Sequence, residues 1–469
     1  MSKINLLNKF VESFRLNGNQ RAYLNLINGS FFVDEKYNSK DLSHFFANCT
    51  PQEKKLLKEI GFILNSPEII YTKQYLAELK QKAENIIPNS IIFVLSFACN
   101  FSCPYCTPKN YDLKFTKDKT STGNMFNVEK IFQTIKHRPF LLKGAKNQIG
   151  FYGGETFLNS RSRIETVNRL FAEIYQIKPK TIFIPTNGYE LDKYFSIFKK
   201  ADGTKTQVFL QITLDGAPAV HNLTRKTASG KNTFDKITKN IDYLLKNTKN
   251  VTFKIRTNIS SYNSENLDQY INYVFKKHKN WINNPRVKFY FIPIFNENFS
   301  NLNKNTITDA ALYKFLIGLN AKNIKNFKSH PLLDILINSF SGEVNLESTI
   351  RCKNIVFGPD GNIYTCNLCN KNSKIGNYIN NSVNLKLLKK FWQGQKYNIP
   401  KCRQCKYVYL CDGGDRVAAI NKYKTALAPM CNCYRRNFKL FYQLLFNPKL
   451  ETKGQTNFLN DPCLVKKRT

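Results

Sequence analysis

Between residues 89 and about 295, apolar runs of strand length alternate with stretches whose apolar residues recur every three or four positions. The strand-like runs are IIFVLSF (91–97), QIGFY (148–152), TIFIP (181–185), QVFLQIT (207–213), VTFKIRT (251–257) and VKFYFIP (287–293). Between them lie segments such as SRIETVNRLFAEIYQI (162–177) and FDKITKNIDYLLK (234–246), which read as amphipathic helices. Repeated β/α units imply an α/β fold: a parallel sheet with helices outside, either open or curled into part of a barrel. The units differ from one another in sequence, which fits barrel repetition and not a solenoid. In such folds the active site lies at the C-terminal ends of the strands.

The flanks differ. In residues 1–88, RAYLNLINGSFFVD reads as two short strands around an Asn-Gly turn, and Thr50 reads as the N-cap of a helix over TPQEKKLLKEIGFI. QYLAELKQKAENI (74–86) reads as another helix. Residues 296–345 are polar, helical in places, and form a bridging segment. Residues 346–437 hold many cysteines and few long periodic elements, so metal is expected to help them fold. The tail, 438–469, begins helical and becomes basic.

Composition narrows the picture. The chain has 469 residues and 42% hydrophobic residues, enough for two or three cored domains. No apolar run is long enough to span a bilayer, and the start is amphipathic without a signal-peptide core, so the expected location is cytoplasmic. Lys and Arg number 71 against 33 Asp and Glu, a formal charge of +38. Such a field attracts polyanions, whether nucleic acid, acidic lipid or an acidic peptide. The lysines are scattered, so a solvated basic surface explains the same numbers. There are 13 cysteines, and all but Cys49 and Cys463 fall in two groups, 99–106 and 352–433. Clustering without a secretion signal points to metal or redox chemistry and not to disulfides.

The motifs sit at or just after strand ends. After the first strand comes ACNFSCPYCTPKNY, with Cys99, Cys103 and Cys106 in a C-x3-C-x2-C array. A structural zinc site wants four ligands, typically from paired knuckles, and no fourth thiol or imidazole stands nearby. Three thiolates on a four-iron cube would leave one iron open to substrate or cofactor. After the second strand comes FYGGET, in which Gly153 and Gly154 would let a ligand approach the backbone and Glu155 offers a carboxylate to an ammonium. An open iron beside an ammonium acceptor suits an amino acid chelating through amine and carboxylate, as S-adenosylmethionine (SAM) does.

These motifs together resemble the radical SAM superfamily over roughly residues 89–295. The resemblance implies a partial (β/α)6 TIM-like barrel, with a small N-terminal α/β region before it. It implies that Cys99, Cys103 and Cys106 hold a [4Fe-4S] cluster, that Tyr105 lines the adenine site, and that Gly153, Gly154 and Glu155 hold the methionine amine. Thr186-Asn187-Gly188 resembles the family's TNG motif, and Thr213-Leu214-Asp215-Gly216 its SLDG. Thr186, Asn187, Thr213, Arg225 and Arg256 are then candidate SAM contacts, while Asp215 reads equally well as a turn-capping carboxylate. The implied chemistry is reductive cleavage of SAM to methionine and a 5′-deoxyadenosyl radical that abstracts a hydrogen atom. A flavodoxin- or ferredoxin-type electron donor is implied as a partner. No catalytic base or radical quencher is identified.

The second group, Cys352, Cys366, Cys369, Cys402, Cys405, Cys411, Cys431 and Cys433, could by spacing alone form a pair of zinc sites. Its order, C…Gx4C…Cx2Cx5C…C over residues 350–435, resembles the SPASM domain of peptide- and protein-modifying radical SAM enzymes. That implies one or two auxiliary [4Fe-4S] clusters, with Cys402, Cys405, Cys411 and Cys431 or Cys433 in one set and Cys352 and Cys366 in the other. Asp415 stands where the family commonly has a cysteine, so either its carboxylate or Cys369 supplies a ligand, or the cluster keeps an open iron. Asn367 follows Cys366 where the anaerobic sulfatase-maturating enzymes, similar in layout, carry an Asp as a proposed base. An amide takes no proton, which argues against sulfatase maturation.

The expected function is modification of a precursor peptide or protein by thioether formation, carbon–carbon crosslinking, epimerisation or oxidation. Residues 1–88 are expected to bind a leader, and an acidic leader would match the charge. A radical SAM enzyme acting on RNA or a small molecule is the alternative, and a zinc protein that binds nucleic acid is the alternative of another class. No nucleic-acid motif supports either, and no membrane role is expected.

Overall fold

The computed structural model describes, with short breaks, residues 7–64, 86–106, 126–293 and 353–408, together with 327–329 and isolated positions elsewhere. Of the helix expected over 74–86 only a few positions are described, and Gln74, Leu76, Ala77 and Lys80 are helical; most of the bridging segment and nearly all of the tail lie outside the described residues.

The first unit is a three-stranded antiparallel meander of β1 (Val11–Arg15), β2 (Arg21–Asn25) and β3 (Phe31–Asp34). The Asn-Gly strands are those read from the sequence, and β1 is an addition. Helices Leu42–Asn48 and Pro51–Glu59 follow. Thr50 opens the second with a capping box: its hydroxyl accepts from the Glu53 amide, and the Glu53 carboxylate accepts from the Thr50 amide. Tyr23, Phe32, Phe45 and Phe62 pack between the sheet and these helices. Phe10, Phe14, Leu24 and Leu26 instead join the main core of the protein. The meander is therefore covered on both faces.

The main sheet contains β4 (Ser90–Val94), β5 (Gln148–Tyr152), β6 (Thr181–Thr186), β7 (Gln207–Thr213), β8 (Val251–Ile259) and β9 (Val287–Pro293). All neighbours are parallel and in chain order. The first strand ends at Val94, short of the apolar run, because Leu95–Phe97 already belong to the loop above it. On one face Ile182, Ile184, Val208, Leu210, Phe253 and Ile255 are fully buried with the helices, each contributing about 1.5–3 kcal/mol through burial. Phe183, Phe209, Lys254 and Tyr290 share the opposite face. There the Lys254 ammonium lies over the three rings at 5.0, 4.7 and 6.0 Å.

The sheet extends past the six expected strands. β10 (Phe327–Ser329) adds parallel to β9. On the other side β11 (Asn354–Phe357) adds parallel to β4. It is followed antiparallel by β12 (Asn362–Tyr364), β13 (Lys374–Asn377) and β14 (Ser382–Val383), giving an 11-stranded sheet. The second cysteine region thus holds more regular structure than its sequence suggested. Its strands are short and rich in Asn, Ser and Lys, so they carry almost no apolar alternation. No helix among the described residues is long and apolar enough to cross a membrane.

Candidate active site

Each motif loop leaves the C-terminal end of its strand, and the loops are stitched to one another. The Gly154 amide donates to the Ser96 carbonyl (3.0 Å) and the Glu155 amide to Ala98 (2.8 Å), joining the GGE loop to the first cysteine loop. A Cβ on Gly153 would meet the Ser96 carbonyl at 2.5 Å, and one on Gly154 the Ala98 carbonyl at 2.0 Å. Both glycines are thus explained by the approach of two backbones. Backbone packing is a reason for both glycines that stands beside the expected approach of a ligand.

Glu155 is buried and its carboxylate accepts from Thr186 Oγ1 (2.7 Å), the Asn187 amide (2.7 Å) and the Phe157 amide (2.9 Å). Burial pushes its pKa up, and those donors pull it back. Glu155 therefore braces the GGE loop to the TNG loop, with lone-pair capacity left for one more donor. Asn187 reaches the cysteine loop: its Nδ2 donates to Asn100 Oδ1 (2.7 Å) and lies 3.9 Å from Cys99 Sγ. The sequence offered no signal for Asn100, one of many asparagines in a loop.

The fourth loop centres on Asp215. Its Oδ2 accepts from Thr224 Oγ1 (3.1 Å) and from the Tyr105 hydroxyl, and its Oδ1 from the Asn258 amide (3.1 Å). Asp215 is buried, which raises its pKa, and Arg225 and the hydroxyl donors oppose that rise. The turn-capping alternative gives way to a network hub. Arg225 Nη1 donates to Tyr105 Oη (3.0 Å) and lies 3.5 Å from Cys103 Sγ, and its guanidinium carbon is 5.5 Å from the Phe101 ring centroid. Burial opposes its charge, but Cys103, Tyr105 and Asp215 around it hold the charged form firmly. The Cys103 thiol is pushed up by burial against the pull of Arg225.

His221 carries the loop that presents Arg225. Its Nδ1 accepts from the Asp215 amide (3.3 Å) and its Nε2 meets Thr233 Oγ1 (3.0 Å), which in turn donates to the Arg225 carbonyl (2.6 Å). Burial holds the imidazole neutral, well below its ordinary pKa. Beyond Arg225 the chain runs antiparallel to the cysteine loop. The Ser102 amide donates to the Lys226 carbonyl (3.1 Å), and the Ala228 amide to Asn100 (2.8 Å). His221 stands in the segment LDGAPAVHNLTR (214–225), but a histidine there signals no role until its two neighbours are known.

The structure brings together Cys99, Cys103, Cys106, Tyr105, Gly153, Gly154, Glu155, Thr186, Asn187 and Arg225, with Thr213 and Arg256 paired in register on adjoining strands. Arg256 Nε donates to Asn258 Oδ1 (2.7 Å). Among the described residues Arg225 Nε is buried without a hydrogen-bond partner. In the second group, Cys366 and Cys369 form one turn, the Cys369 amide donating to Cys366 (3.0 Å). Cys369 is buried against Ile92, Val94, Val356 and Tyr364. Cys402 and Cys405 form another turn (3.1 Å). Cys352, Cys411, Asp415 and Cys431 lie outside the described residues. Among the described residues, no three Cys, His, Asp or Glu side chains converge on a single-ion site.

Residues 93–274 match the model of the Radical SAM superfamily. A cysteine-type anaerobic sulfatase-maturating enzyme of Clostridium perfringens is 24% identical over 383 residues, covering 76% of this chain and 95% of the relative. One of Clostridium novyi is 27% identical over 342 residues, 68% of this chain and 85% of the relative. Native anSMEcpe with bound AdoMet has a similar fold, with a TM-score of 0.54 at 20% identity over 76% of this chain and 96% of that one.

Proposed function

The chain carries a radical SAM domain, and from that premise we propose an enzyme that modifies a peptide or protein by SAM-derived radical chemistry. The observation that carries this reading is the convergence of the cysteine, GGE, TNG and LDG loops at the ends of β4–β7. In its middle stands the unpartnered donor of Arg225. The donor set fits the implied groups: three thiols on one loop, with N–H donors from Phe101 and Asn187 near Cys99 Sγ at 3.4 and 3.9 Å. A buried cationic donor suits a carboxylate.

In this reading Cys99, Cys103 and Cys106 hold the cluster, while Arg225 and Glu155 receive the carboxylate and ammonium of SAM. Tyr105, Thr186, Asn187, Thr213 and Arg256 line the same site. When bound, the cluster and SAM supply hydrogen-atom abstraction from an unactivated carbon. The protein's own part is orientation: Glu155 fixes two loops, Asp215 fixes Tyr105, and His221 fixes the backbone that carries Arg225. Cys352, Cys366, Cys402, Cys405, Cys411, Asp415 and Cys431 are proposed as ligands of one or two auxiliary clusters within 346–437.

The relatives' name speaks for a protein substrate, which supports a peptide or protein here. Asn367 argues against the same target, so a precursor peptide is proposed instead. Residues 1–88 are proposed to hold its leader at the outer edge of β3. The Asn25 amide donates to the Ser30 carbonyl (2.8 Å), one step beyond the Leu24↔Phe31 register. By antiparallel alternation the backbone groups of Val33 then point away from β2. Among the described residues no strand takes that edge, which suits addition of a peptide strand.

The test is one anaerobic preparation. Iron and sulfide near four per cluster, with 5′-deoxyadenosine formed on reduction, are expected. Cys103→Ala should abolish that product while auxiliary iron persists. Zinc in place of iron, or product retained by Cys103→Ala, would overturn the reading. Val33→Pro, which removes an outward amide, should weaken binding of a peptide from a neighbouring short reading frame at least tenfold, checked by fluorescence polarisation.

A further inference from the structure

β1 presents an acid where an apolar residue would be expected. Phe10, Glu12 and Phe14 lie on the face of the meander turned toward the main core, and Glu12 is only 2% exposed. A carboxylate there loses its hydration and needs specific partners. Two of its partners come from far along the chain. The Tyr407 hydroxyl donates to Glu12 Oε1, and the Lys406 ammonium pairs with the same oxygen.

Lys406 and Tyr407 follow Cys405 directly. The turn before them is tightly wound: the Cys402 amide donates to the Ile399 carbonyl (3.0 Å), Cys405 to Cys402 (3.1 Å) and Val408 to Cys405 (3.1 Å). The buried Lys396 ammonium closes the far side, donating to the Val408 carbonyl at 2.6 Å. Val408 itself joins the core that holds Phe10 and Phe14. The Cys402–Cys405 turn is therefore held between Lys396 on one side and the N-terminal meander on the other.

We propose that Glu12 is a positioning residue for the Cys402–Cys405 turn, which makes the N-terminal meander a wall of the second cysteine site. An ordinary structural contact could have been built from apolar residues at less cost. A charged pair plus a phenol hydrogen bond fixes orientation, which metal ligation requires and packing alone does not. The proposal concerns the thiols first; its bearing on metal rests on the reading that they hold an auxiliary cluster.

The test uses the full-length, metal-free protein and measures alkylation of individual cysteines by N-ethylmaleimide with peptide mass spectrometry. Glu12→Leu, which keeps the volume and removes the bonds to Tyr407 and Lys406, should speed modification of buried Cys402 at least tenfold. Cys103 and Cys49, buried elsewhere, should be unchanged. Glu12→Gln keeps an acceptor for Tyr407 and should restore most of the protection. Tyr407→Phe, which removes a single hydroxyl, covers the case in which Glu12→Leu does not fold. Unchanged protection of Cys402 in Glu12→Leu or Tyr407→Phe, or equal acceleration at all three cysteines, would overturn the proposal. Iron is then counted in reconstituted protein: wild type with no iron beyond the first cluster would fail the metal reading alone. A deficit of about four irons confined to Glu12→Leu would join the two.

Discussion

At the scale of single residues, the site is governed by how closely backbones can approach. Gly154 has no room for a methyl group, since a Cβ would lie 2.0 Å from a carbonyl oxygen. Gly154→Ala should destabilise the fold by roughly 2–3 kcal/mol through overpacking and should weaken retention of first-cluster iron. Gly230 is the control: its φ is +83° but nothing lies within 4 Å of its would-be Cβ. Gly230→Ala should cost only about 1 kcal/mol, from the left-handed backbone alone. Thermal unfolding of the two variants side by side checks the order. The positions of these residues are legible in the motifs, but their partners are not. Glu155 is legible as a carboxylate after two glycines, yet nothing in FYGGET says that Thr186 and the Asn187 amide will claim it. Those partners come from another strand, and a sequence carries no register between strands.

At the scale of elements, legibility followed apolar alternation. QIGFY, QVFLQIT and VKFYFIP were read to the residue because each is buried through helix-facing Ile, Val, Leu or Phe. β10, β13 and β14 escaped, since FKS, KIGN and SV are short and hold few apolar residues. Polar contacts between elements also escaped, and one of them sets a pH response. Asp242, on helix Phe234–Asn247, accepts from Trp281 Nε1 (2.7 Å) and meets His278 Nδ1 (3.2 Å). His278 and Trp281 stack at 4.3 Å just before β9. Burial alone would raise the Asp242 pKa, but His278, Trp281 and Asn280 hold it below the usual carboxylate range. A lowered folded-state pKa contributes stability above the unfolded-state value, and that stability is lost as pH falls through the folded-state value. The midpoint difference between wild type and Asp242→Asn should therefore be widest near neutral pH and close in acid. A gap independent of pH would show that the carboxylate's charge does not matter.

At the scale of the whole molecule, a charge of +38 sets a long-range field that single contacts do not. If the peptide partner is acidic, the association rate should fall severalfold between about 50 and 300 mM salt as screening shortens its reach. The dissociation rate should change much less, and stopped-flow mixing separates the two. The same scale shows a cost in the order of synthesis. β4, which leads into the first cysteine loop, is flanked on one side by β5 and on the other by β11, whose Asn354 bonds Ser90 across 264 positions. At ribosomal rates of about 5–20 residues per second, the second flank emerges on the order of ten to fifty seconds after the first strand. Until then β4 has an open edge on a parallel sheet, the kind that recruits stray strands. The nascent chain thus passes through an interval in which its first cysteine loop hangs from an unsealed margin, and the hazard for this enzyme lies in being made as well as in being used.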